Sequence, residues 1–157
     1  MDNQQVTDSV RAAWLAALID GEGSLSIYPV RPGYEYLMTH INVANSDPRL
    51  IATAAWIVKD WNVGHYISCA DKGKYLPSWR IDIRGFKRCA TFLPKILPWL
   101  ISKRAEADIM WRLVQYRLDR PHKVPYGETE ATLVRIFKDV KNTRHLTDFV
   151  PDPRYMR

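Results

Sequence analysis

The chain has 157 residues, 46% of them apolar and 25% charged, with a formal net charge of +6. That is the size and composition of one globular domain with room for a proper core. No apolar run approaches the ~20 residues of a membrane span; the longest candidate, Phe92 to Ile101, is broken by Pro94, Lys95 and Pro98. Met1-Asp2-Asn3-Gln4-Gln5 lacks the layout of a signal peptide, and Cys69 and Cys89 are too few for a disulfide framework, so an intracellular site, cytoplasmic or organellar, is expected.

In chain order, Thr7 or Ser9 can cap a first helix over 9–20, with Val10, Ala13, Trp14, Ala17 and Leu18 along it. From Ser24 the period becomes two: Leu25 and Ile27 alternate with Ser26 and Tyr28, and Pro29, Pro32 and Gly33 make a turn. The return strand puts Leu37, Thr39, Ile41 and Val43 on one face and Tyr36, Met38, His40 and Asn42 on the other. Asp47-Pro48 opens a second helix over roughly 48–61. A second strand pair follows, Val63 to Ala70 and Trp79 to Arg84, joined by Asp71-Lys72-Gly73-Lys74. Phe86 to Leu100 reads as a helix interrupted by prolines, Arg104 to Arg117 as a further helix, 121–125 as a loop and 128–141 as a last amphipathic helix. The tail from Phe149 is expected to be irregular, and Trp56, Trp61, Trp99 and Trp111 to be core residues. The order helix, hairpin, helix, hairpin, helices makes an α+β domain with an antiparallel sheet.

Charge is uneven along this order. Residues 1–70 hold four Lys/Arg against seven Asp/Glu, residues 71–104 nine against two, and residues 105–157 ten against eight. The excess therefore sits in the middle, interleaved with Tyr75, Trp79 and Phe86, which favours a polyanionic partner over a merely solubilising surface. The first helix poses a second electrostatic question. Trp14-Leu15-Ala16-Ala17-Leu18-Ile19 runs into Asp20-Gly21-Glu22-Gly23, two acids at the end of the helix whose dipole is negative. A bound cation would offset that repulsion. His65, Cys69, Cys89 and His122 lack zinc-like spacing, and no glycine-rich phosphate loop or GxSxG nucleophile is present.

Leu15-Ala16-Ala17-Leu18-Ile19-Asp20-Gly21-Glu22-Gly23 resembles the signature of the LAGLIDADG homing endonucleases, departing from it at Ala17, Gly21 and Glu22. The helix–hairpin–helix–hairpin order over about the first 105 residues resembles that family as well. The resemblance implies a single domain over 1–157: an αββαββα core at about 8–118 with a curved four-stranded antiparallel sheet, and a C-terminal helical extension at about 119–157. It implies a site-specific DNA endonuclease using Mg²⁺, with Mn²⁺ substituting and Ca²⁺ supporting binding without cleavage. Such an enzyme leaves staggered ends. An intron RNA maturase, or a non-catalytic DNA-binding protein on the same fold, stays open as an alternative.

Matched residue by residue, Val43-Ala44-Asn45-Ser46-Asp47-Pro48-Arg49 suggests Asn45 and Arg49 at the cleavage centre, and Trp99-Leu100-Ile101-Ser102-Lys103 suggests a catalytic-site lysine at Lys103. Phosphodiester hydrolysis needs an activated water and neutralised charge, which a carboxylate-held divalent metal supplies. Mg²⁺ takes only one or two carboxylates, so Glu22 with the carbonyl of Gly21 is the expected ligand set. Asp20 is the weaker ligand candidate, more suited to hydrogen-bonding backbone N–H groups.

Ala13, Ala17 and Gly21 form a small-residue stripe, with Ala12 and Ala16 alongside. The stripe fits close helix packing, either against the chain's own sheet or against a second copy. The resemblance implies the latter: a homodimer through Ala13, Ala16, Ala17 and Asp20, with a pseudo-palindromic DNA site. The polar sheet face then reads the major groove through Ser26, Tyr28, Tyr36, Met38, His40, Asn42, Tyr66, Ser68, Arg80, Asp82 and Arg84. Arg80 and Arg84 suit guanine, while Asp82 either accepts from cytosine or orients the arginines. A one-residue slip in register would reverse this face.

Overall fold

The structure, a computed structural model, describes residues 3–31, 36–71, 73, 76–121 and 124–143. Its elements are α1 (Asn3–Glu22), β1 (Gly23–Pro29), β2 (Leu37–Asn45), α2 (Pro48–Asp60), β3 (Tyr66–Ala70), β4 (Ser78–Arg84), α3 (Phe86–Ile96), a 3₁₀ turn (Leu97–Trp99), α4 (Arg104–Leu118) and α5 (Glu128–Thr143). The strands form one antiparallel sheet in the order β1-β2-β4-β3. The α+β architecture expected from the sequence is the one observed.

Local chemistry sets the boundaries. Helix α1 begins at Asn3 rather than at 9, so Thr7 and Ser9 lie inside it instead of capping it; Asn3-Gln4-Gln5-Val6 contains no proline or glycine to stop it. Helix α2 starts as expected, with Pro48 in the first turn and the Asp47 side chain accepting from the Arg49 N–H. It ends in a Schellman motif: Asn62 adopts φ 56°, Asn62 N–H bonds Lys59 O, and Val63 N–H bonds Val58 O. Val63 is thereby used to close the helix, so β3 begins at Tyr66 rather than at 63. Gly85, at φ 93°, turns β4 into α3, a conformation that suits glycine.

The register matches the predicted faces. Leu25 and Ile27, Thr39, Ile41 and Val43, and Ile81 and Ile83 are all buried under the helices, each apolar side chain contributing ~1.5–3 kcal/mol. Two tryptophans depart from expectation. Trp61 is buried, but Trp56 and Trp99 are exposed. Trp56 points out from α2 beneath the Arg11 guanidinium, 4.4 Å from its ring centre, and Arg11 is itself held by Asp60 at 2.8 Å. Its plane therefore packs against a cation at the surface.

Helix α5 is pinned at both ends. At its start Glu130 accepts from Arg117 Nη1 at 2.8 Å and from Gly127 N–H at 3.0 Å, half of a capping box inside a buried ion pair. Near its other end Lys141 Nζ donates to Leu25 O at 2.6 Å, covering a carbonyl on the free edge of β1. Phe137 fills the interface between them. The tail from 144, Tyr75, and most of the turns at 32–35 and 71–75 lie outside the described residues.

Candidate functional site

The helix that ends in two acids runs straight into β1, and Gly23 makes this possible. A Cβ there would meet Ile19 Cα and O at 2.8 Å and Asn42 O at 3.1 Å, all backbone atoms. A Cβ on Gly21 would meet nothing within 4 Å. The two glycines of the turn therefore answer different demands: one lets α1 touch β2, and the other lies on an open surface.

The two acids also differ. Asp20 Oδ2 accepts from Ile101 N–H at 2.7 Å, and its Oδ1 accepts from Lys103 N–H at 2.9 Å and from the Ser102 hydroxyl at 3.0 Å. Partial burial raises this carboxyl's pKa, but the backbone bonds from Ile101 and Lys103 and the Ser102 hydroxyl outweigh it, so the group sits below its ordinary value of 3.8. The same loop delivers Lys103, 6% exposed, whose Nζ donates to the Asp20 carbonyl. Its ammonium thus lies against the negative end of the α1 dipole. Glu22 is exposed and has no hydrogen bond or ion pair among the described residues.

The strand register carries this turn into the sheet. Gly23 pairs with Val43, Val43 with Ile81 and Ile81 with Ile67, and the next row joins Ala44, Arg80 and Ser68, so Glu22 lies at the end of the sheet that holds Arg80. Asn45 ends β2 at the same edge, and its Oδ1 accepts from Asp47 N–H at 2.8 Å. Arg49 is bound back onto its own helix cap, with Nη2 2.7 Å and Nε 3.0 Å from the Asp47 carboxylate. That hydrogen bonding takes Asp47 down to about 2. Nothing links Asn45 or Arg49 to Glu22 directly.

The outward sheet face presents Ser26, Tyr28, Met38, Asn42, Tyr66, Ser68, Arg80 and Arg84 in alternation with the core positions. Tyr36, just before β2, is exposed. At the centre lies a pair that alternation alone did not reveal. His40, 8% exposed, bonds Asp82, 2% exposed, through Nε2 and Oδ1 at 2.5 Å. A carboxylate only accepts, so the ring proton is on Nε2 and Nδ1 is an acceptor in the neutral tautomer. Arg84 Nη2 lies 3.3 Å from the same Asp82 oxygen, and the edge of Tyr28 packs on His40 at 6.1 Å.

No protein-family model matches the sequence, and no curated protein matches it. Solved structures do. I-CvuI, crystallised in complex with the I-CreI target in 2 mM Mg with the DNA not cleaved, superposes with a TM-score of 0.63 at 18% identity, over 93% of this chain and 87% of that one. The LAGLIDADG meganuclease I-AabMI, bound to uncleaved DNA, gives 0.61 at 15% identity over 92% of this chain and 54% of that one. The homing endonuclease I-TnaI gives 0.55 at 11% identity over 82% and 97%. The fold is that of the LAGLIDADG homing endonucleases.

On the LAGLIDADG fold α1 has an inner and an outer side, and the two small-residue rows divide between them. Ala12 and Ala16 are buried in the chain's own core, Ala16 completely. Ala16 therefore offers no surface to a second copy, which corrects its assignment to a dimer interface. Ala17 and Gly21 are exposed, and Ala13 is half-buried. The turn brings Asp20, Glu22 and Lys103 together at the end of α1. Arg49 faces its own cap instead. The Asp20 clamp on 101–103 was not legible in the sequence, because its partners are more than eighty positions away. Among the described residues no group of three or more His, Cys, Asp or Glu converges as a metal cluster.

Proposed function

We propose that this chain is a LAGLIDADG endonuclease that cuts both strands of DNA at a long pseudo-palindromic site as a homodimer, leaving staggered ends. The observation that carries the reading is the exposed Glu22 carboxylate at the carbonyl end of α1, unpartnered among the described residues, on a fold shared with DNA-bound endonucleases. A single hard carboxylate beside backbone carbonyls fits Mg²⁺ or Mn²⁺, which need few protein ligands; Glu22 and the Gly21 carbonyl would hold the ion, and Asp20, already saturated, would not. Bound there, a divalent ion would supply an activated water and charge neutralisation at the phosphate. Ca²⁺ would then support binding without cleavage.

The chain's own residues do the rest. Lys103, packed under the turn, adds positive charge at the centre, and Arg49 reaches the phosphate once released from Asp47. Asn45 keeps its amide donors available while its oxygen holds Asp47 N–H. Arg80 and Arg84, with Ser26, Tyr28, Tyr36, Met38, His40, Asn42, Tyr66 and Ser68, read base edges. Asp82, 2% exposed and bonded by His40 and Arg84, orients these two.

The acidic turn occurs once in these 157 residues, which span about half of I-AabMI, so a second turn must come from outside them; in the proposed assembly a second copy supplies it. Exposed Val10, Ala17 and Gly21 on α1, with Ile101 87% exposed beside Asp20, supply an apolar contact. The test is a cleavage selection on a randomised duplex library with Mg²⁺, and with chelator as control. A long, roughly symmetric consensus recovered only with metal is the expected result. Duplex bound but never cut in Mg²⁺ or Mn²⁺ would remove the nuclease reading.

A further inference from the structure

A cleft of about 520 Å³ opens at the end of the sheet away from Glu22, where β4 turns into α3 and the end of α4 faces the loop before α5. Its walls carry Arg84, Lys87, Arg88, Arg117 and Arg120, and no acid among the described lining residues. We propose that this cleft seats the sugar–phosphate backbone of duplex DNA at the outer end of the base-reading sheet, a sequence-independent clamp supplied by Lys87, Arg88 and Arg120. The inference rests on the DNA-cleaving reading above and adds a site to it.

Two of these cations are held by carboxylates, Arg84 by Asp82 at 3.3 Å and Arg117 by Glu130 at 2.8 Å. Outside the cleft, Arg11, Arg49 and Arg104 each have a carboxylate within 2.8, 2.7 and 3.5 Å. The other three cations of the cleft, Lys87, Arg88 and Arg120, have no carboxylate partner among the described residues. Arg88 lies instead over the Tyr66 ring at 4.8 Å, and Arg120 over Tyr116 at 4.3 Å. Stacking of this kind holds a guanidinium in place while leaving its N–H groups for an anion. Lys87 and Arg88 also stand in the first turn of α3, where the helix dipole disfavours cations and no acid or capping side chain compensates. An anion in the cleft offsets both repulsions.

The back wall is rigid. Arg117 is held by Glu130, and its guanidinium lies 4.1 Å above the Tyr126 ring, whose edge meets Tyr36 at 5.8 Å. The clamp is therefore formed before any ligand arrives, which lowers the ordering cost of binding.

Position selects the ligand. A second cavity of about 400 Å³ on the outward face, reaching Tyr66 and Ser68, shares Arg84, Gly85 and Arg88 with the cleft. The arginines of the cleft thus continue around Gly85 onto the base-reading face, where the buried Asp82 is the one carboxylate among the described lining residues. Along β2 the distance from Ala44, next to the Val43 that pairs with Gly23, to His40, level with Arg84, is four residues, or about 14 Å; to Tyr36 it is eight, or about 27 Å. At roughly 3.4 Å per base pair that is about four to eight pairs from the cleavage row. A duplex lying along the strands passes its backbone there.

The test measures binding of the full chain to a labelled duplex of about 40 base pairs of arbitrary sequence, in Ca²⁺, between about 50 and 200 mM salt. Lys87→Ala and Arg120→Ala should each lower the slope of log affinity against log salt by about one unit, and weaken binding roughly fivefold near 0.15 M, whatever the sequence. Lys59→Ala on the helical side, with thermal melts of all variants, is the control. Cleft variants with the slope of wild type overturn the inference while leaving the nuclease reading intact. So does tighter binding of a single strand of equal length that those variants abolish, since the cleft would then be a stacking site. Wild-type protein that binds no duplex removes the proposed function itself.

Discussion

Asp20 and Glu22 are two residues apart on the same helix end, yet the structure uses them in opposite ways. Asp20 faces inward and spends its carboxylate on two backbone N–H groups and a hydroxyl of the 101–103 loop. Glu22 faces outward and its carboxylate has no partner among the described residues. A carboxylate saturated by N–H donors has few lone pairs for a metal, whereas an exposed one next to helix carbonyls has all of them. The difference separates a group that shapes the site from a group available for chemistry, and neighbouring acids in a motif need not share a role.

The sharpest way to break this contrast is Glu22→Gln, which keeps shape and removes charge. Cleavage in Mg²⁺ should fall by roughly three orders of magnitude or more, with the melting temperature unchanged and duplex affinity in Ca²⁺ equal or higher. A Glu22→Gln protein that cuts near the wild-type rate would leave the acid as an ordinary turn residue.

Asp20→Asn should do the reverse in kind. Its amide cannot accept at both oxygens, so a backbone donor of the loop loses its partner, at about 2 kcal/mol and a fall of roughly 4–8 °C in melting temperature. Activity should drop with the loss of Lys103 placement rather than through metal affinity. The Asp20 carboxyl is held below its ordinary 3.8, so its contribution is complete above that pH and disappears as pH falls through the folded value. Melting curves of wild type and Asp20→Asn should therefore be well separated at neutral pH and converge in acid below 3.8. Curves that stay parallel down to low pH would mean the carboxylate is not the group that matters.

A smaller effect distinguishes the two rows of α1. Ala17→Leu lies on the exposed row and should leave monomer stability within about 0.5 kcal/mol while weakening self-association, read by light scattering against concentration. Equal dimer mass for both proteins would move the interface elsewhere. The last expected change is in readout and leaves folding and assembly untouched. Arg84→Ala should relax base preference at symmetric positions by ~1–3 kcal/mol per lost bidentate contact. Asp82→Asn should relax it less, since Arg84 remains but is held less firmly; selection profiles of the two variants measure both.

Much of the fold was legible because its causes are local. Period-two alternation at Leu25, Ile27, Ile41, Val43, Ile81 and Ile83 set the buried face of the sheet, and Asp47-Pro48 marked the start of α2. Boundaries failed where a residue had a local use that periodicity does not register. Val63 closes a Schellman motif instead of opening a strand, and Trp56 covers the surface under Arg11 instead of filling the core.

The candidate site divides along the same line. The sequence by itself determined that an apolar helix ends in two acids, that positive charge gathers in the middle of the chain, and which residues share each strand face. These follow from spacing, because a residue's neighbours along a helix or strand are fixed by the backbone geometry. The different tendencies of Asp20 and Glu22 were expected from their positions at the helix end; only the tertiary structure decided which donors take Asp20, which alanines face outward, and that Asp82 is buried against His40. The partners of Asp20 and His40 lie 83 and 42 positions away. Spacing along one element carries no record of what another element brings against it.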